Sequence, residues 1–270
     1  MVTTNTTQLV SKKRFPTHED LKAGFGQTWF GCGRTVAEIY QWLMFKMDVS
    51  YKTPIPGGPK ILAANHPCTI DPVMMTTLVP EPVSILILDT LFKIPLFGAS
   101  LKLSGHIRVD NGNGNASLEE GLRRLQAGCT LGIFPEGIIT SLGNMTGHAH
   151  TGMARLALST GVPVIPIGIF LDSQYLWHTN SRVKGEMEVG TWYVHGPYAI
   201  TIGEPVTFNG SVEDRQLVRS VTAEIMQHVA ALTQESARRL YASRKAPVST
   251  HVYDSVRFLW FLTRGAFRTV

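Results

Sequence analysis

A short apolar run at residues 61–64 stops at a turn that contains His66 and Pro67. The length of the run is typical of a buried strand. Pro67 disfavours helical geometry at the residue before it, so we expect His66 to lie in an extended turn. Thr69 is a good N-cap, and Pro72 is tolerated in the first turn of a helix. The segment therefore predicts a strand, a turn and a helix, in that order.

The turn brings a histidine close to a carboxylate. His66 and Asp71 are five residues apart, which would put them on different faces of one continuous helix. With a turn between them, the carboxylate can reach back to the imidazole. A carboxylate that holds one ring nitrogen leaves the other able to take a proton, so the pair could act as a general base. The alternative is an Asp that caps a helix beside a loop histidine.

A second strand ends in a similar way. Residues 130–134 form another apolar run, and Pro135, Glu136 and Gly137 follow it. Taken alone, these three residues are typical of an ordinary turn.

The two motifs together resemble the glycerolipid acyltransferases, the family of the lysophosphatidic acid and glycerol-3-phosphate acyltransferases. The resemblance lies in Asn-His-x4-Asp after one strand and Phe-Pro-Glu-Gly after another, about seventy residues later. Residues 151–158 and 161–168 resemble the next helix and strand of the family, and residues 202–206 resemble the strand that closes its domain. We therefore expect an α/β fold: a single domain with a central mixed, mostly parallel sheet flanked by helices.

The resemblance also implies an activity, acyl transfer in phospholipid biosynthesis. The acyl donor would be acyl-CoA or acyl carrier protein, and the acceptor a hydroxyl of a lysophospholipid such as 1-acyl-glycerol-3-phosphate. His66 would be the general base and Asp71 would orient it, while Glu136 and Gly137 would belong to the acceptor site. This chemistry requires neither a metal nor an organic cofactor.

The sequence departs from the family at the positions expected to bind the acceptor phosphate. Two positions that carry arginine in the family are Asn111 and Ile139 here. Arg108 is the nearest replacement, and Lys93 and Arg155 are more distant candidates. Either Arg108 holds the phosphate, or the pocket accepts a different, non-phosphate acceptor. Both alternatives stay open at this point.

The cysteines allow another class of enzyme. Cys32, Cys68 and Cys129 are odd in number and lack metal-site spacing, which suits a reducing compartment. Cys68 is two residues from His66, so it could be the nucleophile of a thioester hydrolase or a ping-pong transferase. A protein without activity that binds lipid through an acyltransferase fold is a third alternative.

His148 and His150 are interpreted as part of a polar loop, not as a metal pair.

The composition indicates which partners to expect. The net charge of +5 and the pI near 9.2 favour anionic lipids or phosphorylated substrates. No nucleic-acid-binding signature is present, so nucleic acid is not expected as a partner. The first residues are polar and unlike a signal peptide, and no run of about twenty apolar residues predicts a membrane span.

We expect three segments along the chain. Residues 1–53 would be an N-terminal tail and an amphipathic helix at residues 35–47, and residues 54–210 the acyltransferase domain. Residues 211–270 would hold C-terminal helices: a long one that begins at Ser211, and a basic amphipathic one at residues 251–270. Each amphipathic helix could dock on the core or lie in a membrane surface. Membrane contact by the tail predicts a peripheral protein on the cytoplasmic side of a membrane.

Overall fold

The computed structural model of the protein describes residues 18–110, 114–140, 149–183 and 186–244. The strands are β1 (Phe45–Tyr51), β2 (Lys60–Ala64), β3 (Val83–Leu88), β4 (Ile107–Val109), β5 (Thr130–Ile133), β6 (Val164–Leu171), β7 (Leu176–Val183), β8 (Glu186–Tyr193) and β9 (Gly196–Ile202). The helices are α1 (His18–Met44), α2 (Asp71–Met75), α3 (Asp89–Phe92), α4 (Phe97–Leu103), α5 (Gly114–Gln126), α6 (Gly152–Thr160) and α7 (Arg215–Arg244). A short 3₁₀ turn, Ser173–Tyr175, precedes β7.

Among these residues, seven strands form one sheet in the order β1-β9-β6-β2-β5-β3-β4, and β7 and β8 form a separate hairpin. Strands β6, β2, β5, β3 and β4 run parallel to one another. Strand β9 is antiparallel to β6, and β1 runs parallel to β9. The prediction of a mixed, mostly parallel sheet flanked by helices is confirmed. The carboxyl ends of the five parallel strands lie along one edge of the sheet, which is where binding sites of α/β folds gather.

Both faces of the sheet are covered, which explains why residues 61–64 of β2 are all apolar. Leu62 and Ala64 belong to a core cluster on the face that carries α1 and α2, while Ile61 and Ala63 belong to the cluster under α5, α6 and α7. All four side chains are fully buried. Since successive side chains of a strand point to opposite faces, a strand covered on both faces favours apolar residues at successive positions. Burying Ile61 or Leu62 contributes about 1.5–3 kcal/mol to the free energy of folding, and each alanine contributes less.

The N-terminal helix differs from its prediction. It was expected at residues 35–47, but α1 begins at His18 and ends at Met44, and the next residues belong to β1. Phe45 is buried and packs edge-on against Tyr198 of β9, because β1 pairs with β9 over its whole length. The sheet therefore begins before residue 54, the expected start of the acyltransferase domain.

The C-terminal helix starts later than predicted. Asp214, not Ser211, caps α7, since its Oδ1 accepts the backbone N–H groups of Gln216 and Leu217. Ser211 instead accepts the backbone N–H of Glu213. Residues 1–17 of the expected N-terminal tail lie outside the described residues, and so does the expected basic amphipathic helix at residues 251–270.

The segment between β3 and β4 contains a broken helix with Pro95 at the break. Its two parts, α3 and α4, are joined by a tight turn in which Leu96 has φ +61° and is 88% exposed. A Cβ at Gly98 would lie 2.0 Å from the carbonyl oxygen of Phe92, so only glycine fits this turn.

Candidate active site

The turn after β2 places His66 against Asp71. The Nδ1 atom of His66 lies 2.8 Å from Oδ2 of Asp71, the first residue of α2. The carboxylate is fully buried, whereas 15% of the histidine side chain is exposed. With Nδ1 donating to the carboxylate, Nε2 is the ring nitrogen that can accept a proton. The predicted pairing of His66 and Asp71 is thus present in the structure.

One detail of this turn differs from the prediction. Thr69 does not cap α2, which has no side-chain cap. Its Oγ1 and its backbone N–H both donate to the carbonyl oxygen of Thr191 on β8. Pro72 lies in the first helical turn, as expected. The hairpin of β7 and β8 therefore holds the loop between the two residues of the pair.

Asp71 receives four hydrogen bonds, two on each oxygen. Oδ2 accepts from His66 and from the backbone N–H of Cys68 at 2.7 Å. Oδ1 accepts from the Cys68 thiol at 2.9 Å and from the Tyr198 hydroxyl at 2.5 Å. A buried carboxylate is costly unless donors replace the lost water, and these four donors do so.

The two side chains that donate to Oδ1 stay protonated. Burial, followed by the charge of Asp71, raises the pKa of the Cys68 thiol well above its ordinary value. The same two causes, in the same order, raise the pKa of the Tyr198 hydroxyl. A nucleophilic cysteine requires an accessible thiolate. The fully buried thiol of Cys68 is instead a hydrogen-bond donor to Asp71, which argues against the cysteine-nucleophile alternative.

The motif after β5 supports the other side of the histidine. Phe134 stacks on His66 with ring centroids 4.3 Å apart and an interplanar angle of 25°. The carbonyl oxygen of His66 accepts the backbone N–H of Thr140 at 2.8 Å. The hydroxyl of Thr140 donates to Glu136 Oε2 at 3.1 Å, and the Glu136 side chain is buried. The two sequence motifs are therefore joined by hydrogen bonds and by ring stacking.

Gly137 is required by the shape of this turn. It has φ +68°, a conformation that favours glycine, and its N–H donates to the carbonyl oxygen of Phe134. A Cβ at Gly137 would lie 3.0 Å from the ring of His150, whose backbone N–H bonds to Pro135. The predicted roles of Glu136 and Gly137 in acceptor binding stay predictions.

Arg108 lies on β4, at the outer edge of the sheet. Three strand spacings, about 14 Å, separate β4 from β2. The guanidinium forms an ion pair with Asp89, the first residue after β3, so it leans toward the middle of the sheet. Lys93 also pairs with Asp89 and, ahead of Arg108, holds the pKa of that carboxyl below its usual range. Asn111 lies outside the described residues.

Tyr198 was missed by sequence reasoning. It lies on β9, 127 residues after Asp71, and no local spacing connects the two. The available signal was weak: a tyrosine within a strand buried on both faces needs a partner for its hydroxyl.

Among the described residues, no cluster of His, Cys, Asp or Glu side chains could hold a metal ion.

Comparisons with known proteins point to one family. The acyltransferase family model matches residues 46–170. The 1-acyl-sn-glycerol-3-phosphate acyltransferase of Pseudomonas aeruginosa is 31% identical over 117 residues, which are 42% of this chain and 45% of that protein. The Escherichia coli protein of the same name is 28% identical over 137 residues, 48% of this chain and 56% of that protein. The chain thus spans about half the length of the curated relatives it matches.

The fold has a solved counterpart. The crystal structure of the 1-acyl-sn-glycerophosphate (LPA) acyltransferase PlsC from Thermotoga maritima matches with a TM-score of 0.51 and 20% identity. The match covers 87% of this chain and 86% of that one. The family match begins at the second residue of β1 and includes both motifs that flank His66. The comparisons therefore support the resemblance to the glycerolipid acyltransferases over the part of the chain that contains His66 and both motifs.

Proposed function

We propose that the protein transfers a fatty acyl group from acyl-CoA or acyl carrier protein to the hydroxyl of a lysophospholipid, 1-acyl-glycerol-3-phosphate. The observation that carries the proposal is the hydrogen-bonded His66–Asp71 pair at the carboxyl edge of the sheet. The two bacterial relatives are named for the same acceptor, which supports the proposal.

In the proposed reaction, neutral His66 is the general base. Its Nδ1–H donates to Asp71, so Nε2 takes the proton of the acceptor hydroxyl as that oxygen attacks the thioester carbonyl. The tetrahedral intermediate then loses the thiol, which receives the proton from the imidazolium, and the carbon–sulfur bond breaks. Asp71 stabilises the imidazolium between these steps. Positioned base catalysis of this kind contributes roughly 10²–10⁴ in rate, and orientation and oxyanion donors contribute the rest.

The acceptor assay tests this proposal directly. The protein is incubated with labelled acyl-CoA and with one of four acceptors: lysophosphatidic acid, glycerol 3-phosphate, lysophosphatidylcholine or monoacylglycerol. Extraction should recover labelled phosphatidic acid from the first acceptor in the largest amount. Release of free fatty acid without an acylated product would contradict acyl transfer. Equal use of monoacylglycerol would contradict the phosphate acceptor.

We further propose that Arg108, with Lys93, holds the acceptor phosphate. Both cations already share Asp89, and the three side chains carry a net charge of +1 at the carboxyl ends of β3 and β4. An arginine offers a planar fork of donors that matches a phosphate. The acceptor headgroup would extend from His66 across the end of β5 toward this cluster.

Substitutions of opposite expected effect test the role of Arg108. Losing a charged hydrogen bond to phosphate costs about 1.5–3 kcal/mol, so Arg108→Ala should raise the KM for lysophosphatidic acid about tenfold or more. Asp89→Asn removes the carboxylate that competes for Arg108 and should lower the same KM. The KM for the acyl donor is the control and should change little in both variants. If Arg108→Ala leaves the KM for lysophosphatidic acid unchanged, another residue binds the headgroup.

A non-phosphate acceptor is the second candidate. Ile139 replaces a family arginine in the loop that follows Gly137, and Arg108 is engaged by Asp89. A pocket without a free cation would favour a neutral hydroxyl or an amine. The acceptor assay above separates the two candidates, because monoacylglycerol then becomes the better substrate.

We also propose that the protein is a peripheral protein on the cytoplasmic side of a membrane. The exposed apolar face of α1 supports the membrane contact. It consists of four side chains that are each more than half exposed: Val36, Ile39, Trp42 and Leu43. At 100° per residue they fall within about 120° of one another. The neighbouring charged residue Arg34 points the other way and donates to the carbonyl oxygen of Val79. An outer face of this kind suits an interfacial helix.

Vesicle binding tests this location. No helix in the described part of the chain is long and apolar enough to cross a bilayer. Trp42→Ser should weaken co-sedimentation with anionic vesicles. Tyr241→Ser is a matched control, since Tyr241 is half exposed on α7, which packs on the opposite face of the sheet. Equal binding by both variants would contradict docking through α1.

A further inference from the structure

We propose that Tyr198 is a positioning residue for the His66–Asp71 pair. Its hydroxyl holds Oδ1 of Asp71 so that Oδ2 stays aimed at the Nδ1 of His66. The inference rests on the proposed function, since it assigns a role in the same reaction. It adds a third side chain to the pair, from a strand far along the chain and beyond the part that the family match covers.

The hydrogen bonds divide cleanly between the two carboxylate oxygens. Oδ2 is bound by His66 Nδ1 and by the backbone N–H of Cys68, and Oδ1 by the hydroxyl of Tyr198 and the thiol of Cys68. A rotation of the carboxylate that carries Oδ2 away from His66 would therefore also break the bonds to Oδ1. The donors to Oδ1 act as a lock on that rotation.

Tyr198 is the stronger of the two donors to Oδ1. Its O–H donates at 2.5 Å, the length of a charge-assisted O–H···O⁻ bond, whereas a thiol is a weak donor. The Tyr198 hydroxyl stays protonated because burial and the nearby Asp71 charge both raise its pKa. The hydroxyl is therefore the proton donor in its hydrogen bond to Asp71.

The backbone of Tyr198 is fixed on both sides. In β9 it pairs with Met47 of β1 and with Leu171 of β6, and its side chain is fully buried. The ring packs edge-on against Phe45 at 5.6 Å and against Tyr193 at 6.2 Å. The hydroxyl position is therefore set by the sheet and not by the mobile end of a long side chain. A donor with so little freedom loses little entropy when it orients a charge.

The sequence offers a matched pair of variants. Tyr198→Phe removes the hydroxyl that reaches Asp71. Tyr193→Phe removes another buried hydroxyl of the same aromatic group, but that one donates to the backbone carbonyl of Pro197 at 2.6 Å. Both variants lose one buried hydrogen bond and should lose similar thermal stability. We expect kcat to fall about tenfold or more in Tyr198→Phe alone, with the KM values for donor and acceptor within about twofold of wild type.

A spectroscopic measurement gives a readout that does not depend on activity. The protein is labelled with ¹⁵N-histidine, and the His66 signals among the nine histidines are assigned by their loss in His66→Gln. We expect the Nδ1–H proton and the two nitrogen shifts of His66 to move in Tyr198→Phe and to stay at their wild-type values in Tyr193→Phe. This result would support the positioning role even if the acceptor assay failed to show acyl transfer.

Two outcomes would overturn the proposal. One is an unchanged His66 spectrum with unchanged kcat in folded Tyr198→Phe. The other is an equal loss of kcat in both tyrosine variants, which would indicate that losing any buried hydroxyl of this aromatic group lowers kcat.

If Tyr198→Phe does not fold, Cys68→Ala and Cys68→Ser test the same lock through the other donor. The His66 signals should move in Cys68→Ala and return toward wild type in Cys68→Ser, and an unmoved spectrum in Cys68→Ala would contradict the lock.

Discussion

His106, between α4 and β4, makes the stability of the protein depend on pH. Its Nδ1 accepts the backbone N–H of Ile85 at 3.2 Å, which requires the neutral ring. Burial, and then the nearby charge of Arg124, lowers the pKa of His106 from 6.5 to about 4. Arg124 is held in place by hydrogen bonds to the carbonyl oxygen of Gly105 and to Ser84. The folded protein thus resists protonation of a group that titrates freely after unfolding.

The direction of the effect follows from this difference in pKa. Above pH 6.5 His106 is neutral in both states and its contribution to stability is fully present. As the pH falls below 6.5 the unfolded chain binds a proton that the folded protein does not, so the free energy of unfolding decreases until the folded pKa is reached. Between pH 8 and pH 5 the loss from this one residue is about 2 kcal/mol.

The magnitude can be measured by subtraction. Urea unfolding is followed at pH 8 and at pH 5 for the wild type and for His106→Asn, whose amide oxygen can still accept the Ile85 N–H but cannot titrate. The carboxylates contribute equally to the pH dependence of the unfolding free energy in both proteins, so their contribution cancels when the two decreases are subtracted. The decrease in unfolding free energy between the two pH values should be about 2 kcal/mol smaller in the variant. An equal decrease in both proteins would refute the argument.

Other predictions concern packing, chemistry and the tail. Gly168→Ala should destabilise the protein by about 3 kcal/mol or more in urea unfolding, because its Cβ would lie 2.2 Å from the carbonyl carbon of Leu232 on α7. Gly31→Ala, with open space at its Cβ inside α1, should instead be neutral or stabilising by up to about 1 kcal/mol. Cys68→Ser should turn over, and mass spectrometry should find no acyl-enzyme; a stoichiometric acyl-Cys68 would overturn direct transfer. Removal of residues 251–270, outside the described structure, should weaken binding to anionic vesicles; unchanged co-sedimentation would contradict the predicted role of the tail.

The sequence was sufficient where the determinants are local. His66 and Asp71 are joined by a five-residue turn that Pro67 restricts, so the spacing allowed the pair, and the second motif with the family resemblance favoured it over a capping Asp. The apolar runs of β2 and β5 are short, uncharged and buried on both faces, which is the pattern of inner parallel strands.

Long-range pairing explains what the sequence could not predict. The apolar stripe of α1 continues to Met47, and only the pairing of β1 with β9 turns residues 45–47 into a strand. The hairpin of β7 and β8 was not anticipated, although Thr191 on β8 holds Thr69 beside the candidate active site. Tyr198 was missed for the same reason. Its contact with Asp71 depends on the order of strands in the sheet, which no local spacing encodes.

The central claim is that His66 is the general base of acyl transfer. The most direct test compares wild type with His66→Ala in an assay that follows thiol release from acyl-CoA and phosphatidic acid formation from lysophosphatidic acid. Thermal unfolding of both proteins checks that the variant is folded. The account predicts a decrease in kcat of about a hundredfold or more with an unchanged fold. Turnover close to that of the wild type in folded His66→Ala would contradict it.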